Sequence, residues 1–144
     1  MTSKIFIDTN ILVYALDKAE PEKQEQAREL LRKAESDRLG VISTQVLQEY
    51  YVIATRKLKV DPELAKRIIS SLSKLEVVVI GQPIIEKAID ISISNKISFW
   101  DALIVSSAIA ARCRIIWTAD LSHGQSINKI KIVSPFKLPG ELPG

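Results

Sequence analysis

Five short apolar runs punctuate this chain: Ile5-Phe6-Ile7, Gly40-Val41-Ile42-Ser43, Val77-Val78-Val79-Ile80, Ile115-Ile116-Trp117-Thr118 and Ile130-Lys131-Ile132-Val133. Ile5-Phe6-Ile7, short and without polar alternation, suits a strand that is buried on both faces. Segments of helical period separate the first four. From Pro21 to Ser36, Ala27, Leu30, Leu31 and Ala34 recur at helical spacing, while Glu22, Lys23, Glu25, Arg28 and Arg32 take the other face. Thr44 is expected to cap a helix reaching about Leu58, with Leu47, Tyr50, Tyr51, Ala54 and Leu58 as its apolar stripe. Asp61-Pro62 opens the next, and another runs from Ile84 to about Ser94 with Ile85, Ala88, Ile89 and Ile93 inward. A short helix is expected from Asn10 to Leu16, a longer one from Ser98 to about Arg112, and a polar loop from Leu121 to Asn128. This alternation predicts a three-layer α/β domain with a mostly parallel central sheet. Residues 1–134 read as one domain and 135–144 as a short tail containing Pro and Gly, with no repeat or linker between.

Right-handed crossovers place every strand-to-helix junction on one edge of such a sheet. Open α/β proteins put their ligand crevice there. Asp8 directly follows the first apolar run and Asp120 closely follows the fourth. Asp8, Thr9 and Asn10 are all good helix caps, yet one cap suffices. Ser98 and Asp101 fit a capping box, but on a helical wheel Asp101 falls between Ile104, Val105 and Ala108, on the face expected to be buried. A carboxylate is almost never fully buried without a partner. Glu49 lies three after Val46 and four before Ile53, so it borders the buried face of its helix.

Four carboxylates converging on one cleft repel each other unless a cation joins them. All-oxygen ligation suits magnesium or manganese, which pair with substrate phosphates and promote phosphodiester hydrolysis. The chain has one cysteine and one histidine, so no thiolate or imidazole cluster competes. Cys113, among Ala110, Ala111, Ile115 and Ile116, reads as a buried structural thiol. A net charge of +3 permits a polyanionic partner. The apolar N-terminal run is too short for a secretory signal, and no stretch approaches the roughly 20 apolar residues of a membrane span, so a cytoplasmic location without membrane contact is expected.

Ile7-Asp8-Thr9-Asn10, Glu49 within Ser43-Thr44-Gln45-Val46-Leu47-Gln48-Glu49, Phe99-Trp100-Asp101-Ala102 and Thr118-Ala119-Asp120-Leu121 resemble the acidic motifs of PIN-domain nucleases. They are most similar to those of VapC-type toxins from toxin–antitoxin pairs, and the resemblance runs from Ile5 to about Pro135. It implies a PIN-like fold and a metal-dependent endoribonuclease in which Asp8, Glu49, Asp101 and Asp120 bind Mg2+ or Mn2+ and position the attacking water. Asn10 and Thr118 would be polar supporters of that set. The resemblance further implies an RNA substrate, a homodimer, and a cognate antitoxin protein that fills the groove. Members of the family vary around the position of Asp120.

Arg56, Lys57 and Lys59 follow the helix of Glu49, and Arg112 and Arg114 follow that of Asp101. Either group could hold RNA phosphates, although basic residues at helix ends also complement the helix dipole. Tyr50, Tyr51 and Trp100 read as core or dimer-interface residues rather than base-stacking platforms. Two alternatives remain. One is a catalytically silent PIN module that binds RNA or a protein partner. The other is a phosphoryl-transfer domain with Asp8 as nucleophile, but such enzymes commonly carry a second aspartate where this chain has Asn10.

Overall fold

The computed structural model describes residues 3–119 and 124–136. Strand β1 (Ile5–Ile7) leads into α1 (Thr9–Tyr14) and α2 (Pro21–Ser36). Next come β2 (Gly40–Ser43), α3 (Thr44–Arg56), α4 (Pro62–Ser71) and a 3-10 turn over Leu72–Lys74. After β3 (Glu76–Val78) the chain forms α5 (Gln82–Asn95), α6 (Phe99–Ala110), β4 (Ile115–Trp117), β5 (Ser126–Ile127) and β6 (Ile130–Val133).

The strands form one sheet in the order β3-β2-β1-β4-β6-β5. All neighbours are parallel except β5, which pairs antiparallel with β6 at the edge. Ile5, Phe6 and Ile7 of β1 are all fully buried, although successive side chains point to opposite faces. Both faces of the sheet are therefore covered by helices, as a parallel sheet requires. The three-layer α/β expectation holds.

Chain order fixes where a cleft can form. From β1 the chain steps outward to β2 and β3, then returns through α5 and α6 to place β4 on the other side of β1. The reversal lies between β1 and β4, and their carboxyl ends open there. The Asp8 N–H donates to the Trp117 carbonyl at 3.0 Å, extending the β1–β4 ladder to the residue that enters the cleft.

Several local expectations are corrected. Ser43, not Thr44, caps α3: its hydroxyl accepts from the Val46 N–H at 3.3 Å. The inward stripe of α3 is rotated, with Gln45, Val46, Tyr50 and Ala54 buried and Tyr51 exposed. On α5, Ala88 and Ile91 face the core, while Ile85, Ile89 and Ile93 are exposed. The expected loop before β6 contains β5. A two-residue edge strand has no periodicity from which it could be read.

Candidate active site

Asp8 stands at the end of β1 and caps α1, its Oδ1 accepting from the Thr9 N–H at 2.7 Å. Capping and cleft placement are thus compatible roles of one side chain. The Thr118 hydroxyl, just beyond β4, donates to Asp8 Oδ2 at 2.8 Å. Asn10 Nδ2 lies 3.3 Å from Thr118 Oγ1 and 3.5 Å from Asp8 Oδ2, and its Oδ1 accepts from the Ala119 N–H at 3.0 Å. Asn10 therefore joins the start of α1 to the chain leaving β4. With both oxygens held, the nearly buried Asp8 carboxylate has a fixed rotation.

Glu49 projects from the middle of α3 and is half-buried. Its Oε1 accepts from the Thr9 hydroxyl at 2.8 Å. Asp101 lies in the first turn of α6, where the helix dipole favours an anion. Its N–H donates to Ser98 Oγ at 3.1 Å, whereas its carboxylate makes no return bond among the described residues. Only half of the expected capping box forms, and the carboxylate is left to the cleft.

One cleft of about 590 Å³ is lined by Asp8, Glu49 and Asp101 together with Thr9, Asn10, Gln45, Lys57 and Trp100. The structure thus brings three of the four expected carboxylates together. Asp120 lies outside the described residues. Neither Glu49 nor Asp101 is in an ion pair with any described residue. No three His, Cys, Asp or Glu side chains among the described residues are gathered tightly enough to hold an ion alone. An all-oxygen donor set spread around an open cleft suits a hydrated magnesium or manganese ion, which keeps several waters and takes only one or two carboxylates.

The basic candidates divide. Lys57 lines the cleft, and Arg56 and Lys59 do not. Arg112 and Arg114 sit at the opposite end of the sheet, where the Arg114 N–H donates to the Lys4 carbonyl at 3.3 Å and both arginines border a separate hollow with Ser3 and Lys4. Trp100 is not a core residue, being 62% exposed on the cleft wall. Thr9 and Gln45 were not anticipated as site residues. The signal for Gln45 was its place one helical turn before Glu49, on the same face of α3.

The sequence model of the PIN domain family matches residues 5–125. The chain belongs to the PIN domain family. No curated protein matches it. Among solved structures, it is similar to a chain of a toxin-antitoxin complex from Klebsiella pneumoniae, with 23% identity, a TM-score of 0.69, and coverage of 92% of this chain and 98% of that one. It is also similar to a chain of VapBC2 from Rickettsia felis bound to a promoter DNA fragment, at 22% identity and a TM-score of 0.67 over 89% and 96% of the two chains. A third is Mycobacterium tuberculosis VapC20, a Sarcin-Ricin loop cleaving toxin, at 16% identity and a TM-score of 0.66 over 81% and 90%. At these identities the likeness is one of fold, and it extends over nearly the whole of this PIN domain.

Proposed function

We propose that this PIN-domain chain is a magnesium- or manganese-dependent endoribonuclease that hydrolyses RNA phosphodiester bonds and acts as the toxin of a toxin–antitoxin pair. The observation that carries the reading is the convergence of Asp8, Glu49 and Asp101, from three separate elements, on one cleft at the carboxyl edge of the sheet. Asp120 is proposed as a fourth member of that set. Bound magnesium or manganese would supply the Lewis acidity that activates water and offsets charge developing on the phosphate. The chain's part is orientation. Thr9 and Thr118 hold the Asp8 carboxylate, Thr9 also holds that of Glu49, and the first turn of α6 presents Asp101. Lys57, which lines the same cleft, is proposed to meet a substrate phosphate.

The toxin role is supported by the fold shared with chains of toxin–antitoxin complexes, and the partner is then a cognate antitoxin. A homodimer is supported by the exposed apolar face of Ile85, Ile89 and Ile93 on α5. No helix among the described residues is long and apolar enough to cross a membrane, and the proposed site of action is the cytoplasm, where the RNA is.

The test is incubation of total cellular RNA with purified protein in magnesium, manganese or chelator, beside Asp8→Asn. Metal-dependent fragments that vanish in the variant are expected. An absence of cleavage by antitoxin-free protein in every metal would replace this reading with that of a silent binding module.

A further inference from the structure

We propose that Trp100 is the stacking platform for one unpaired nucleobase of the substrate. This rests on the endoribonuclease reading and deepens it. Trp100 immediately precedes Asp101 and forms part of the same cleft wall, yet 62% of it is exposed. Its placement is built rather than incidental. Phe99 packs against the ring edge-to-face, with centroids 5.1 Å apart and planes at 74°. Gln45, itself buried on α3, donates from Nε2 to the Trp100 carbonyl at 3.3 Å, pinning the first turn of α6 to the helix that carries Glu49. Among the described residues the buried Gln45 Oε1 atom finds no hydrogen-bond partner, so this side chain is held in a place where only half of its polar capacity is used. That cost is explained if the position of Trp100 matters.

The character of the cleft selects the occupant. Asp8, Asp17, Glu20, Glu49 and Asp101 line the same cleft as the ring, with Lys57 as its basic residue. An apolar protein segment laid on Trp100 would desolvate those groups without pairing them. A nucleotide brings a π-face for the indole, and a phosphate whose accompanying cations meet the carboxylates. Stacking of this kind serves every base and is confined to single-stranded substrate, since a paired base keeps its faces inside the helix.

The chain contains two tryptophans, and the other, Trp117, is 1% exposed. Quenching of indole emission by a base therefore reports on Trp100. Stopped-flow mixing of the protein in magnesium with an unstructured RNA 8-mer reads binding before turnover, and the same oligomer made abasic is the control. We expect quenching by the 8-mer and none by the abasic strand. Trp100→Leu should abolish the quench and raise KM for RNA roughly tenfold, the order of one lost base stack, with Trp100→Phe recovering most of it. Absence of quenching by an 8-mer that the protein cleaves would overturn the proposal. So would equal quenching by the abasic strand, or emission already blue-shifted and insensitive because a second copy covers the ring. If the protein cleaves no RNA, the endoribonuclease reading fails separately, and the quench alone decides whether a base sits on Trp100.

Discussion

The Thr9 hydroxyl donates to Glu49 Oε1 at 2.8 Å while the Thr9 N–H donates to Asp8 Oδ1 at 2.7 Å, so a single threonine orients two carboxylates from different elements. Thr9→Val keeps the shape and the backbone bond but frees Glu49. A hydrogen bond to a charged group contributes on the order of 1.5–3 kcal/mol. The expected result is a kcat for RNA cleavage lower by about tenfold or more, with KM little changed and with Thr9→Ser close to wild type. Full turnover in Thr9→Val would show that Glu49 needs no such support.

Asp8→Asn should lower cleavage by about a thousandfold or more, because it removes charge from the best-oriented carboxylate of the cleft. The same change relieves like-charge repulsion, so its melting temperature should equal or exceed that of metal-free wild type. Magnesium should raise the melting temperature of wild type and not of the variant. A markedly less stable variant would assign Asp8 to structure.

Ser98 caps α6 through its bond from the Asp101 N–H. Ser98→Ala is expected to cost about 1 kcal/mol in urea unfolding, and Ser98→Asp to restore it. Because the cap also fixes the turn that presents Asp101, activity should fall further in Ser98→Ala than the stability loss would explain.

Lys57 faces the cleft, whereas Arg114 lies at the other end of the sheet. Lys57→Ala should raise KM and flatten the dependence of binding on log salt concentration by about one unit of slope, as expected for one lost phosphate contact. Arg114→Ala should do neither. A larger effect from Arg114 would place an RNA path on that second surface.

Burial pushes the Cys113 thiol from 9.0 up to about 12, with Glu76 adding to the shift and Lys4 opposing it, and burial pushes Tyr50 from 10.0 up to about 12. Each group keeps its proton in the folded chain at pH values where the unfolded chain releases it. The resulting stability is therefore complete below about pH 9 and is lost as pH rises towards 12. Urea denaturation should show a fall of about 1.4 kcal/mol per pH unit for each group beyond its unfolded pKa. Cys113→Ala should remove one group's share of that slope, and the native thiol should react slowly with alkylating reagents. An unchanged slope in Cys113→Ala would show that the thiol is not the group responsible.

Regular elements were legible where burial is two-sided or amphipathicity is strong. The boundaries of β2, α2 and β6 are those read from the apolar runs and helical spacing. Faces were less legible. Tyr51 and the α5 isoleucines were assigned inward because they are apolar at helical spacing, yet Val46, Ala88 and Ile91 take those places and leave them exposed. Spacing gives a stripe its period but not its rotation when apolar residues surround most of a helix. In the site, the carboxylate of Asp8 was conspicuous because it follows a buried strand, where charge is costly. Thr9 and Gln45 were not, because their roles depend on which helix lies across the cleft, and that is set by the order of strands.

The bond from Thr118 to Asp8 spans 110 positions, and β4 reaches β1 only after α5 and α6 have formed their crossover. During synthesis, a chain still on the ribosome presents Asp8 and Glu49 well before it has either the wall bearing Asp101 or the strand that leads into Thr118. The cleft is therefore among the last features to assemble. If the chain is the proposed endoribonuclease, a half-made copy poses no threat to the RNA that is translating it.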